Sequence, residues 1–507
     1  MEESTKAYPD KTALILEEHK ITYAQLRATA TKFAGGLVSV GVKPGDKVAL
    51  MAPNVPQWVA AYYGILNVGA SVVPLNVLLK AGEIAYHLED SDAVALVAWE
   101  GFLEEAAKAH ERVVGCRDLI VIETPGSGEV PEGAHGFNQF LAENPPEFEM
   151  VQTDPNDTAV LIYTSGTTGR PKGAELTHFN VLVNVMVVAD WLFGITEDDV
   201  ALGALPLFNV FGQNGVLNSL LYRGAKVALL PRFEPEAALK TIQRAGVTMF
   251  HGVPSMYQGL LRYPDHERYD TSSLRQAILA GAAMPAEALR EFEERFEVVI
   301  LEGYGLSETT AAVSSNRSKE ERKVGSIGLP VWGVELKVFD FEDREVPRGE
   351  PGELVVRGHA VMKGYYKRSE ATEEATRNGW FHTGDVATMD EEGFVYIVDR
   401  LKDMIVRGEY NVYPREIEEI LYEHPAVAEC AVVGVPHPEL GEEIRAVVVP
   451  KPDRSATEQE IISFAEERMA AYKYPRSVVF VDELPKTATG KILKRKLVSE
   501  VRNGALP

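Results

Sequence analysis

Residues 226–250 hold the pattern that most restricts the fold. Lys226-Val227-Ala228-Leu229-Leu230 is an apolar run of strand length, and Pro235 stands where a helix can begin. Leu239 and Ile242 share one helix face, Gly246 stops the helix, and Val247-Thr248-Met249-Phe250 reads as the next strand. Such a βαβ unit requires a parallel sheet and puts binding loops at the carboxyl ends of its strands. The start of the chain repeats the alternation. Leu26, Phe33 and Leu37 recur at helical spacing before Gly41; residues 47–51 read as a strand, 58–67 as a helix and 71–75 as another strand. Residues 331–398 change character, with short strands over 335–339, 353–357 and 394–398 between Gly/Pro/Asp turns, as in a mostly antiparallel module. After Asp399-Arg400-Leu401-Lys402-Asp403 come a helix (414–423), strands (431–435 and 445–449), a helix (458–469) and a basic tail. That makes an α+β unit of about 100 residues. The expected fold class is α/β: a large N-terminal domain of parallel α/β sheets plus a small antiparallel β module (1–399), then a small α+β C-terminal domain (400–507).

A chain of 507 residues exceeds what one core usually supports, which agrees with two domains. Its 51 Lys+Arg against 75 Asp+Glu give a net charge of −24, which argues against bulk nucleic-acid binding and against tethering to anionic lipid. A local cationic site for an anionic substrate remains compatible with that charge. Cys116 and Cys430 lack metal-ligand spacing and fit inert packing residues in a reducing cytoplasm. Met1-Glu2-Glu3-Ser4 is acidic and no apolar signal region follows, and the most apolar stretch, 181–195, is broken by Asn184 and Asp190. The expectation is a soluble cytoplasmic protein without an integral membrane segment. A homodimer is left open.

Four clusters carry chemistry. Thr164-Ser165-Gly166-Thr167-Thr168-Gly169-Arg170-Pro171-Lys172 follows the apolar strand 159–162. Glycines expose backbone N–H groups, hydroxyls add small donors and Lys172 adds a mobile positive charge, a combination suited to a polyphosphate. The Walker A spacing is absent. Leu301-Glu302-Gly303-Tyr304-Gly305-Leu306-Ser307-Glu308 follows the apolar run 298–300. There Tyr304 offers a ring for a flat base, Ser307 a phosphate donor, and Glu308 a hard oxygen ligand suited to Mg²⁺. Trp380-Phe381-His382-Thr383-Gly384-Asp385 ends in a carboxylate that could accept from two ribose hydroxyls. Pro485-Lys486-Thr487-Ala488-Thr489-Gly490-Lys491 places a lysine after a Thr/Gly turn.

In this order and at these separations the clusters resemble the motifs of the adenylate-forming superfamily: acyl- and aryl-CoA synthetases, adenylation domains and firefly-type luciferases. The resemblance runs from Tyr8-Pro9-Asp10-Lys11-Thr12-Ala13 to Lys491 and includes Leu205-Pro206-Leu207-Phe208, Gly252-Val253-Pro254 and Met362-Lys363-Gly364-Tyr365-Tyr366. It implies an AMP-binding adenylation domain (1–399), a mobile lid (400–507), and ATP, Mg²⁺ and coenzyme A as reaction components. By that resemblance Thr164, Ser165, Gly166, Thr167, Thr168, Gly169 and Lys172 would hold the β- and γ-phosphates, with Thr164 and Glu308 on the metal. Tyr304 and Gly281-Ala282-Ala283 would sandwich adenine, and Glu302, Gly303, Gly305 and Ser307 would line the nucleotide site. Asp385 and Arg400 would hold the ribose. Lys491 would bridge the acid's carboxylate and the α-phosphate, and Lys402 would be the pivot about which the lid swings.

Two positions depart from the family pattern. Glu409 follows Gly408 in the loop 407–414, where a second glycine is usual; its charge would repel a passing polyanion by roughly 0.5–2 kcal/mol at about 8 Å. Asn209 stands in Pro206-Leu207-Phe208-Asn209-Val210-Phe211, where histidine is usual in acyl-CoA synthetases, and it cannot titrate. His251 is expected beside Asn209 along the acyl and thiol path. The expected activity is an AMP-forming ligase that joins a small carboxylic acid, most resembling a medium- or long-chain fatty acid, to CoA. The alternative is transfer of the acyl group to an amine or a carrier-protein thiol.

Overall fold

A computed structural model of the chain describes residues 1–124, 130–145, 147–164, 170–401, 403–407, 410–438, 440–452, 454–486 and 492–502. Among these, strands form two large sheets, a four-stranded antiparallel sheet and a C-terminal sheet. The interior of the largest sheet is parallel. Its order is Ile300–Tyr304, Gln276–Leu279, Met249–Gly252, Val200–Gly203, Lys226–Leu229 and Thr12–Leu16. Both edges close with antiparallel strands, His19–Thr22 on one side and Ser314–Ser315 followed by Leu329–Pro330 on the other. The second sheet is parallel through Ser71–Pro74, Lys47–Met51, Ala93–Trp99 and Asp118–Ile122, and it turns antiparallel where Thr158–Thr164 pairs Lys172–Thr177.

Local chemistry explains the elements. The helix Tyr23–Ser39 starts at Thr22, whose hydroxyl caps the Gln25 N–H while the Gln25 side chain caps Thr22 in return. It buries Leu26, Phe33 and Leu37 on one face. The helix Pro235–Ala245 begins at Pro235 and ends at Gly246, which sits at φ +61°, a left-handed cap that glycine takes without strain. The strand expected at 247–250 is displaced to Met249–Gly252, because Val247 N–H and Thr248 N–H still cap the preceding helix and the neighbouring strand.

The antiparallel module is Val334–Phe339, Gly352–Gly358, Phe381–Met389 and Val395–Arg400. Its longest strand, Phe381–Met389, carries Gly384-Asp385 at its centre, and that glycine, at φ +70°, is accommodated inside the strand. The C-terminal sheet joins Val427–His437, Gly441–Pro450 and Ser477–Phe480, over which the helices Pro414–Tyr422 and Glu458–Glu466 pack. The supposed basic tail contains the helix Lys494–Arg502, whose Leu497 is buried against Ala431, Val433 and Val447. Among the described residues no helix is long and apolar enough to cross a membrane. Both cysteines are buried and free, and burial pushes the Cys116 thiol up to about 12, in keeping with an inert role.

Candidate active site

The polyphosphate candidate is built on a β-hairpin. Thr164 closes one strand and stands in register with Lys172, the first residue of the next. Residues 165–169 lie outside the described residues. The Thr164 Oγ1 is buried without a hydrogen-bond partner among the described residues. Lys172 holds its ammonium 5.1 Å from the Tyr365 ring centroid, and the Tyr365 hydroxyl donates to Glu308 Oε1 at 3.0 Å. Lys172 and Glu308 are thereby linked through Tyr365, an aromatic that sequence reading left without a role, and Thr164 stands opposite Lys172 in the hairpin register. The Gly-Tyr-Tyr run at 364–366 was the available signal. Tyr163 does not face this cluster: its hydroxyl donates to Asp90 at 2.9 Å.

A second cluster draws on two sheets. The strand Ile300–Tyr304 carries Tyr304 to its carboxyl end, where the hydroxyl donates to Asp385 Oδ2 at 2.5 Å. Arg400 Nε meets Asp385 Oδ1 at 3.1 Å, because Asp385 and Arg400 face each other across antiparallel strands. Asp385 is 3% exposed, and its backbone N–H donates to the Thr383 hydroxyl. Burial, and then the Asp385 carboxylate, push the Tyr304 phenol far above its ordinary value, so it stays a donor. A carboxylate has about four acceptor positions, so Asp385 retains capacity for ligand hydroxyls.

The loop after Tyr304 is tightly made. A Cβ on Gly305 would lie 1.5 Å from the Ala311 carbonyl oxygen, so only glycine fits. Thr310 sits at φ +67°, an outlier for a β-branched residue, held by its own hydroxyl on Ala360 O (2.7 Å) and by Asn214 Nδ2 on its carbonyl (2.8 Å). Ser307 opens the short turn Ser307–Thr309 that contains Glu308. Gly281 has φ +85° and leads into the exposed Ala282 and Ala283. Glu302 is turned to a structural contact: its carboxylate accepts from the Gly325 N–H at 2.8 Å, and burial raises its pKa to about 7.

Asn209 is half-buried in the turn that leads into the π-helical segment Phe211–Asn218, and its carbonyl accepts from the Gln213 N–H. His251, wholly buried, lies between the rings of Phe193 (6.0 Å) and Phe211 (6.1 Å). Lys402, Gly408, Glu409 and Lys491 lie outside the described residues. Among the described residues, no cluster of three His, Cys, Asp or Glu could hold a metal ion.

A parallel sheet thus delivers Tyr304 to a carboxylate–arginine pair, and a hairpin brings Thr164 and Lys172 to the Tyr365–Glu308 pair. Comparison with known proteins gives the family. Residues 1–366 match the AMP-binding enzyme family, and residues 416–491 match the AMP-binding enzyme C-terminal domain. The chain belongs to the AMP-binding enzyme family, the adenylate-forming enzymes. It is 38% identical to a long-chain-fatty-acid–CoA ligase of Bacillus subtilis, over 98% of this chain and 93% of that protein. A feruloyl-CoA synthase of an Amycolatopsis species is 39% identical, over 96% of this chain and 95% of its own. In three dimensions the chain is similar to an anthranilate CoA ligase solved with anthranoyl-AMP (TM-score 0.93, 33% identity, 99% of this chain and 96% of that one).

Proposed function

We propose that the chain is an ATP-dependent carboxylic acid–CoA ligase, in the cytoplasm, that activates a fatty acid through an acyl-adenylate. Residues 1–399 would form the adenylation domain and 400–507 the lid, with Lys402 as pivot. The observation that carries the reading is the convergence of Tyr304, Asp385 and Arg400 from two sheets. In this reading Asp385 takes the ribose hydroxyls, with Arg400 fixing its carboxylate. Tyr304 and the loop Gly281-Ala282-Ala283 enclose adenine, while residues 164–169 and Lys172 hold the β- and γ-phosphates. A carboxylate oxygen of the acid attacks the α-phosphorus and pyrophosphate leaves; the CoA thiolate then attacks the acyl carbonyl and AMP leaves. Both partners of the first step are anionic, so positioned cations, Lys491 and Lys172, lower its barrier. Thr164 and Glu308 fit Mg²⁺, since the unpartnered Thr164 Oγ1 and the Glu308 carboxylate are hard oxygen donors. The ion would offset charge on the phosphates.

Identity with a long-chain-fatty-acid–CoA ligase supports a fatty acid as substrate. The feruloyl-CoA synthase relative and the rings of Phe193 and Phe211 around His251 support an aryl acid as the second reading. A panel of fatty and aryl acids, assayed for pyrophosphate release and CoA consumption, tests the proposal. Equimolar release and consumption with one acid class is expected. Pyrophosphate release without CoA consumption across the panel would instead mean transfer to an amine or carrier thiol.

A further inference from the structure

We propose that His251 is a specificity-determining residue that hydrogen-bonds a hydroxyl carried by the acid at the end remote from its carboxylate; this rests on the ligase reading above. The position is set by the sheet. His251 pairs with Ile278 and Ile278 with Leu301, so His251 lies near the same carboxyl edge to which Ile300–Tyr304, the next strand but one, delivers Tyr304. That edge is where open α/β sheets bind ligands.

Its surroundings are apolar, yet its own polar atoms are unspent. Nδ1 and Nε2 are both buried without a hydrogen-bond partner among the described residues. Among the described residues the two other buried histidines each use one nitrogen: His87 sets Nδ1 against the Glu83 carbonyl at 2.6 Å, and His382 sets Nδ1 against Glu353 at 2.8 Å while its Nε2 is unmet. Leaving a buried donor or acceptor unmet is costly, so a site that keeps two such atoms is suited to a ligand that meets them.

The chemistry of that ligand follows from the ring's charge. Burial, and after it the positive charge of Arg275, lower the His251 pKa to about 3, so the imidazole is neutral. A neutral imidazole offers one N–H and one lone pair, which a hydroxyl can satisfy as acceptor or donor. A second carboxylate would need a cation, and Arg275 is already committed to Asp199 by contacts of 2.7 and 2.9 Å. Phe211, whose ring centroid lies 6.1 Å from that of His251, is the partly exposed neighbour of the imidazole. Phe211 is half-buried, whereas His251 has no exposed surface. Its ring rests on Gly215, where a Cβ would come within 2.8 Å of Cδ2, and it heads the π-helical segment, an irregularity frequent at functional sites.

The test uses full-length enzyme and two matched pairs, 4-hydroxycinnamate with cinnamate and 12-hydroxydodecanoate with dodecanoate. CoA-thioester formation is followed for wild type, His251→Leu and His251→Gln. Wild type is expected to favour the hydroxylated member of one pair, and which pair it is separates an aryl from an alkyl source. His251→Leu should lower that kcat/KM ratio about 10- to 100-fold, and His251→Gln, which keeps a donor and an acceptor, should retain part of it. A wild-type ratio near one in both pairs overturns the proposal even if His251→Leu fails to fold, as does an unchanged ratio in that variant. Thioester formation at equal rates within each pair leaves the ligase reading intact; no pyrophosphate release from any acid defeats that reading and this inference with it.

Discussion

The Glu302 carboxyl accepts from the Gly325 N–H and is otherwise enclosed, and burial ahead of any charge raises its pKa from 4.5 to about 7. Between those values the unfolded chain ionises this group while the folded chain keeps it protonated. Stability therefore falls as pH rises from about 4.5 to about 7 and levels off above. Glu302→Gln keeps an acceptor for Gly325 and removes the titration. The variant should match wild type near pH 4.5 and gain about 1–3 kcal/mol, seen as a higher Tm, at pH 8. A lower Tm for the variant at pH 8 would contradict the burial argument. The same residue marks a limit of sequence reading. Tyr304, Asp385 and Arg400 were legible because their types and order carry a resemblance. The enclosure of Glu302 and the donation of Tyr163 to Asp90 were not, since both arise from residues far away in sequence.

At the scale of elements, apolar runs marked strands well where both faces are buried and poorly where pairing outlasts the apolar residues. The run 298–300 predicts a strand that in fact extends over Ile300–Tyr304, because Gly303 and Tyr304 pair with Ser314 and Ser315. Phe381–Met389 was hidden for a similar reason, its centre being Thr-Gly-Asp. What lets the first of these strands end at a usable site is the turn after it. Gly305 touches the Ala311 backbone more closely than any Cβ allows, and Thr310 is held at φ +67° within the same turn. Gly305→Ala must push these backbones apart. Because the displaced ring of Tyr304 would no longer meet Asp385, pyrophosphate release should fall about 10²-fold, the order expected of a misplacement near 1 Å. A variant with wild-type pyrophosphate release would show that this close approach is dispensable.

Across the whole molecule, the proposed boundary between domains is held by charge. Lys494, on the last described helix, meets Glu418 at 2.8 Å, and Asp399 receives the Arg415 N–H at 2.8 Å while the Arg415 guanidinium donates to the Ile397 carbonyl at 2.6 Å. Burial works against the Lys494 ammonium, but the carboxylates of Glu418 and Asp399 outweigh it and hold its pKa above the ordinary value. Asp399, raised by burial, is brought back by Lys494 and pushed up again by Glu418, so the lysine keeps two carboxylates compatible across the boundary. Composition gave no sign of this, since the basic run 494–496 reads as a solvated tail until its helix is placed against Val427–His437. Lys494→Met should leave the carboxylates unshielded and cost about 3 kcal/mol, the order found when one partner of a buried pair is removed. The C-terminal unit would then detach more readily, and trypsin should cut sooner at Arg400 and Arg407. Adding Glu418→Gln removes one of the opposed charges and should restore much of the resistance, which loss of packing at Lys494 alone would not allow. Equal cleavage rates in wild type and Lys494→Met would show that the boundary is held by packing alone.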